Sequence, residues 1–179
     1  MNLIILDLKA AVCQCLLIVP ADEVCAMKRI VDHKGFLSSD PAHVCQLLER
    51  WKPSSFDVNE KKQERELQFW LESQLPEVPI VAQYGIAKGK ADIVIEDSHL
   101  IEVKLAFDSA SVVEFDRCVG QLERYKQKWV KKERGPVYLV VVGESDAEFR
   151  DMLQTWFTEA NNPFFNQRFF LIEKHPNCQ

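Results

Sequence analysis

The sequence predicts an α/β fold with a mixed central sheet flanked by helices. Two apolar segments on either side of the turn-forming residues 96–99 indicate an antiparallel hairpin over residues 88–105. A helical pattern follows to about residue 133, and residues 137–142 (VYLVVV) are typical of a strand inside a buried sheet. A strand, a crossover helix and a buried strand imply a right-handed parallel connection. The hairpin should therefore belong to an α/β core.

The composition indicates a soluble globular protein. The chain has 179 residues, enough for one domain and a small appendage, with 47% apolar and 27% charged residues. Its net charge of −5 means that any nucleic-acid binding must use a local basic patch. The first apolar segment, Leu3–Val19, is interrupted by Asp7 and Lys9 and lacks the basic start of a signal peptide. We expect a cytoplasmic protein with no membrane partner.

The N-terminal part is predicted to be a small helical region over residues 1–55. Helices are expected from Asp22 to His33 and after Asp40-Pro41, where a cap residue precedes proline. Residues 52–55 (KPSS) are the predicted linker to a second domain over residues 56–179. The six cysteines have no paired C-x-x-C spacing, so a zinc site is not predicted. Those at positions 13, 15, 25 and 45 are interpreted as small buried apolar residues.

An amphipathic helix is predicted from Asn59 to Leu75. Its apolar stripe recurs at intervals of three and four residues and consists of Leu67, Trp70, Leu71 and Leu75. Glu60 and Glu64 fall on the same side as Leu67 and Leu71, whereas Glu66 falls toward the edge. These acids either serve a site or are solvated charges in the first turns. A strand over residues 79–84 and a turn over residues 85–89 should follow.

The hairpin carries two carboxylates and one amine. Side chains alternate along a strand, so Glu102 and Lys104 share a face, and Asp92 should lie across the hairpin near Glu102. Neighbouring carboxylates repel one another unless a positive charge lies between them. Carboxylate oxygens are ligands that Mg²⁺ and Mn²⁺ prefer, and Mg²⁺ is commonly held by one or two carboxylates with phosphate and water.

Nine residues separate Asp92 from Glu102, and one residue separates Glu102 from Lys104. In this pattern the hairpin resembles the PD-(D/E)xK nuclease superfamily, although Ala91 stands where the family has proline. The resemblance implies a restriction-endonuclease-like fold and phosphodiester hydrolysis with Mg²⁺ or Mn²⁺. It implies that Asp92 and Glu102 bind the metal, and that Lys104 activates water or stabilises the transition state. It also implies a metal-reaching glutamate on the preceding helix, for which Glu64 is the first choice and Glu66 the second.

The next helix adds two further features. Gln121 and Tyr125 lie four residues apart on one face and resemble the Q-x-x-x-Y element of RecB-like nucleases, where the pair lies near the active site. Residues 117–134 hold seven basic residues against two acids, which leaves −10 on the rest of the chain. We predict a phosphate-contacting surface here, although a solvated helix face is the alternative. Its residues are Lys88, Lys90, Arg117, Arg124, Lys128 and Lys131.

Two stripes are predicted to be buried. The stripe on the helix after the hairpin consists of Val112, Phe115, Cys118, Val119, Leu122 and Trp129. The stripe on the last helix consists of Phe149, Met152, Leu153 and Trp156. A capping box from Ser145 to Glu148 should open that last helix. Residues 168–173 (RFFLIE) are the predicted final strand.

We therefore expect a metal-dependent nuclease, and the resemblance favours DNA over RNA as its substrate because most of the family acts on DNA, although the sequence does not decide between the two. Cutting both strands usually implies two active sites, which would require a homodimer, and the sequence leaves the oligomeric state open. Single-strand or double-strand preference, endonuclease or exonuclease action and base specificity are open as well. One alternative is a catalytically silent module of the same fold that binds nucleic acid or protein. Another is a chance match of the hairpin within an unrelated α/β scaffold.

Overall fold

The computed structural model describes residues 40–56, 59–161 and 168–176, which all belong to one compact unit. The apolar segment Leu3–Val19, the helix predicted from Asp22 to His33, and the cysteines at positions 13, 15, 25 and 178 lie outside the described residues. Among the described residues, no helix has the length and apolar character needed to cross a membrane.

The described residues form four α-helices and five strands. The helices are α1 (Pro41–Arg50), α2 (Glu60–Gln74), α3 (Val112–Lys128) and α4 (Ala147–Ala160). The strands are β1 (Ile80–Ile86), β2 (Gly89–Ile95), β3 (His99–Leu105), β4 (Val137–Val142) and β5 (Phe169–Lys174). A short 3₁₀ turn, Val130–Lys132, follows α3. The predicted helices after Pro41 and after Asn59, the hairpin and the buried strand are all present.

The sheet has the order β1-β2-β3-β4-β5. The first three strands are antiparallel to one another, whereas β3, β4 and β5 run parallel. Helix α3 connects β3 to β4, as expected for a parallel pair, which needs a long crossover. The predicted mixed sheet flanked by helices is therefore confirmed.

The sheet has a helical layer on each face. Alternate residues of β4 point to opposite faces, so Tyr138, Val140 and Val142 pack with α1 and α2, and Val137, Leu139 and Val141 pack with α3 and α4. Residues 52–55, predicted as a linker, connect α1 to α2. Side chains of both helices lie in the same core cluster. Helix α1 is thus part of the unit that contains the sheet.

Side-chain caps begin α1 and α2, whereas the cap residues of α3 and α4 form no side-chain cap hydrogen bond. Asp40 accepts a hydrogen bond from the Ala42 amide at 3.0 Å, and Asn59 caps α2 through the Lys62 amide at 3.0 Å. The predicted capping box at Ser145 is wrong. Asp146 is the cap residue of α4, and the buried Ser145 hydroxyl instead accepts from the Phe107 amide at 2.9 Å. Ser145 therefore joins the loops that follow β3 and β4.

The two predicted apolar stripes are confirmed except at single positions. On α3, Cys118, Leu122 and three other members are buried or packed against the core, but Val112 is 51% exposed at the first turn. On α4, Met152 is 48% exposed, and Phe157 is buried where no buried residue was predicted. A spacing of exactly four residues links Phe149, Leu153 and Phe157, so the buried stripe runs along that line. Cys45 is buried, as predicted.

Candidate functional site

The site lies where β2 and β3 separate. Their backbone pairing ends at Ile93 and Ile101, and the next residues toward the site are Asp92 and Glu102. Beyond this point β2 pairs only with β1, and β3 pairs only with β4. The Asp92 carboxylate accepts a hydrogen bond from the Val103 amide at 2.8 Å, in the place of a backbone partner. Without it, a buried amide would lose its acceptor, which is costly.

The alternation of side chains along β2 is interrupted at Asp92. Ala91 packs with α3 and α4, whereas Ile93 packs with α1 and α2, although residues two apart normally share a face. In the register of β1 and β2, the residue opposite Asp92 is Gln83, which has a φ of 53°. Left-handed backbone is unfavourable for residues other than glycine, and such strain is concentrated at functional sites. The irregularity lets side chains from both faces of the sheet meet here.

Glu102 is held by donors from both β3 and α3. Its Oε1 accepts from Gln121 Nε2 at 2.8 Å and lies 2.7 Å from Lys104 Nζ. Its Oε2 accepts from the Tyr125 hydroxyl at 2.6 Å. Burial, followed by the charge of Glu102, raises the pKa of Tyr125, so the phenol remains a donor. Three of about four acceptor positions of the carboxylate are therefore used, and one on Oε2 remains.

Lys104 has an acceptor for each of its three ammonium hydrogens. Besides Glu102, these are Glu60 Oε1 and the Val103 carbonyl oxygen, each at 3.0 Å. Burial alone would lower the pKa of Lys104, but the carboxylates of Glu102, Asp92 and Glu60 raise it above its usual value. Lys104 is therefore an ammonium ion across the physiological pH range. It can donate hydrogen bonds and positive charge.

The carboxylates outnumber the single ammonium. Burial, together with the negative charge of Glu102, raises the pKa of Asp92 to about 8, against opposing effects of Lys104 and the Val103 amide. Burial and the charges of Glu60 and Glu102 also raise the pKa of Glu64. A cation bound among these groups would favour their ionised forms.

Helix α2 contributes the two remaining acids. Glu60 and Glu64 lie one turn apart; Glu60 reaches Lys104, and Glu64 Oε2 accepts from Gln83 Nε2 at 2.9 Å. Glu66, the second choice from the sequence, instead accepts hydrogen bonds from the Ser54 side chain and amide. Glu60 was among the acids considered from the sequence but was not chosen, and Gln83 was not predicted. The signal for Glu60 was its place one turn before Glu64, and Gln83 had no signal because its backbone conformation is set by the fold.

An open cleft of about 300 Å³ lies beside these groups. Helix α2 lines it with Lys61, Glu64, Arg65 and Gln68, and the sheet contributes Gln83 and Asp92. The cleft gives solvent and ligands a route to Asp92, which is otherwise buried.

The donor set fits a hard divalent cation. Within the described part of the chain, no group of three or more His, Cys, Asp or Glu side chains has the geometry to hold a metal ion. Mg²⁺, however, is commonly bound by one or two carboxylates, with phosphate and water completing its shell. Asp92 and Glu64 both line the cleft, and both have raised pKa values that a cation would relieve. Glu102 retains a single acceptor position for the same role.

The predicted basic surface lies beside the site. Arg117 lies four residues before Gln121, and Arg124 and Lys128 lie three and seven residues after it. All three therefore share its face of α3. The Arg124 side chain packs against Gly89 at the start of β2, so closely that a side chain at Gly89 would meet its guanidinium group. Lys88 and Lys90 flank that glycine, and both are exposed. Lys131 lies beyond α3 and donates to Gln127 at 2.8 Å.

The chain matches no protein-family model, no curated protein and no solved structure. Its functional assignment therefore rests on the residues of the site and on their geometry.

Proposed function

We propose that the protein is a metal-dependent nuclease of the PD-(D/E)xK type, which hydrolyses phosphodiester bonds in DNA. The observation that supports this most strongly is the meeting of Asp92, Glu102 and Lys104 where β2 and β3 separate. Gln121 and Tyr125 both bind Glu102, which gives the Q-x-x-x-Y resemblance a physical role: the pair holds the carboxylate in place. The basic residues beside them, of which Arg117 and Lys128 are exposed and Arg124 is half-buried, supply a surface for phosphates.

In this proposal, one or two Mg²⁺ or Mn²⁺ ions would be held by Asp92, Glu64 and the remaining acceptor position of Glu102. A metal held there would polarise the phosphate and lower the pKa of a bound water toward neutrality. Asp92 then serves in its ionised form, since the cation offsets the effects that raise its pKa. Glu102 orients Lys104 through their contact at 2.7 Å.

Lys104 acts by its charge. Its contact with Glu60 is the one that a substrate can replace, since the Glu60 side chain is 40% exposed and the Glu102 side chain only 1%. A phosphate oxygen in place of Glu60 would receive a hydrogen bond from the ammonium group. That bond strengthens as negative charge develops in the transition state.

The test is cleavage of labelled single-stranded and double-stranded DNA and RNA with Mg²⁺ or Mn²⁺. Lys104→Ala should lower the rate by a factor of about 10² or more, the usual effect of removing one group that stabilises transition-state charge. Lys52→Ala is the matched control, because Lys52 is exposed and outside the site. Glu102→Gln, which keeps the shape of the side chain, should also lose activity and guards against unfolding of the alanine variant. Circular dichroism checks the fold of each variant.

Cleavage at the wild-type rate by folded Lys104→Ala would overturn the catalytic assignment. Cleavage of none of the four substrates by the wild-type protein would favour the silent module, in which the bonds of Glu102 to Lys104, Gln121 and Tyr125 serve stability alone.

A further inference from the structure

The cleft beside Asp92 carries two cations that the proposed chemistry does not use. Lys61 and Arg65 lie four residues apart on α2, so both point to the same side of the helix, and both line the cleft. Both are exposed, and neither forms an ion pair with a residue that the structure describes. Their neighbour Lys62 differs, because its ammonium lies 3.8 Å from Glu66 and outside the cleft lining.

The charges in this cleft are arranged by sign. Lys61 and Arg65 are exposed, whereas the two carboxylates lie deeper: Glu64 is half-buried and Asp92 is buried. Four residues along a helix span about 6 Å, so the two cations can contact different anionic groups of one ligand. A ligand that suits this arrangement has one anionic group that faces the carboxylates and the metal ion proposed to bind them. It has further anionic groups next to that one, which face Lys61 and Arg65. A chain of phosphodiesters has this form.

The cleft is also limited in size and open along one side. Its volume of about 300 Å³ is at the lower end of the range for small-molecule sites, which is room for a sugar–phosphate segment and too little for both strands of a duplex. Strand β1 is an edge of the sheet, and its residues 81–83 are exposed. An extended strand of nucleic acid can therefore enter along β1 and leave over α2.

We propose that this cleft binds the backbone of a single polynucleotide strand, and that Lys61 and Arg65 contact phosphates next to the one that lies at Asp92. This inference rests on the proposed nuclease function and adds its substrate form. Arg65 can bind two oxygens of one phosphate through its guanidinium group, and Lys61 acts as a point charge. Together with Arg117, Arg124 and Lys128 on α3, the two cations would hold the strand from both sides of the acidic site.

The test is equilibrium binding of a short fluorescein-labelled oligodeoxythymidylate, measured by fluorescence anisotropy with a chelator and no divalent cation. Lys61→Gln/Arg65→Gln is compared with wild type and with Lys52→Gln/Lys62→Gln, which removes the same charge from residues outside the cleft. Each phosphate contact on a single strand contributes about 0.7 to the slope of log K against log salt. The cleft variant should therefore lose about 1.4 from the slope and bind about 25-fold more weakly at 0.1 M salt. The control variant should retain most of the wild-type slope.

Equal affinity and slope for the cleft variant and wild type would overturn the inference, as would a slope change that appears only with a duplex of the same length. The same proteins are then assayed with Mg²⁺. A loss of slope in the cleft variant, together with no cleavage by wild type, would refute the nuclease proposal and leave strand binding intact. Cleavage by wild type and by the cleft variant with the same KM would refute the binding role and leave the nuclease proposal intact. Thermal unfolding of each variant checks that these exposed substitutions leave the fold unchanged.

Discussion

Asp92→Asn should stabilise the metal-free protein, and by an amount that grows with pH. Burial and the Glu102 charge raise the pKa of Asp92 from its ordinary 3.8 to about 8. Below pH 3.8 the carboxyl is protonated in both the folded and the unfolded state. Between these two values the unfolded chain ionises and the folded protein does not, so the stability of the wild type falls as pH rises. Above about pH 8 the folded protein carries the full cost of the buried charge.

The size of the effect follows from the two pKa values. The two pKa values differ by about 4, and at about 1.4 kcal/mol per pH unit this amounts to about 6 kcal/mol above pH 9. At pH 5 the destabilisation of the wild type by Asp92 is only about 2 kcal/mol. The asparagine amide has no titration of its own, and its oxygen can still accept from the Val103 amide. The gain in stability from Asp92→Asn should thus be about 4 kcal/mol larger at pH 9 than at pH 5, or about 10 °C in Tm for a chain of this size.

The assay is thermal unfolding of wild type and variant at pH 5, 7 and 9, with a chelator present. Asp151→Asn is the control, because Asp151 is an exposed residue on α4 and lies outside the site. Parallel pH profiles for wild type and Asp92→Asn would refute the reasoning, since they would show that Asp92 titrates alike in the folded and unfolded protein.

Three further predictions concern the metal, the Glu102 support and the hairpin turn. Mg²⁺ or Mn²⁺ at 100 times its Kd should raise the free energy of unfolding of wild type by about 2.7 kcal/mol, and its Tm with it, but should leave the Tm of Asp92→Asn unchanged. Equal Tm shifts in the two proteins would exclude Asp92 as a ligand. Tyr125→Phe should lose about 1–3 kcal/mol in urea unfolding, because the buried Glu102 carboxylate loses a donor; an unchanged midpoint would contradict this. Glu96→Asn/Asp97→Gly should raise the free energy of unfolding by about 1 kcal/mol in the same assay, since both residues have left-handed backbone, with φ of 51° and 53°. A lower free energy of unfolding would contradict this.

Local patterns were sufficient to predict most of the fold. The β-branched segment 137–142 is a buried strand, and the helix between β3 and β4 makes them parallel, because these features depend on residues close in the chain. Where the prediction erred, a contact between distant segments decided the outcome. Ser145 had the right spacing for a helix cap, but its hydroxyl bonds with Phe107, which is 38 residues away.

The sequence by itself determined that Glu102 and Lys104 share one face of β3, and that Gln121 and Tyr125 share one face of α3, because the two-residue and 3.6-residue periods are properties of the backbone. Only the tertiary structure decided that these faces meet, and that Glu60, 44 residues from Lys104, completes the bonds of the ammonium ion. The raised pKa values of Asp92 and Lys104 were equally beyond the sequence. Burial and neighbouring charge set those values, and both depend on which distant segments pack together.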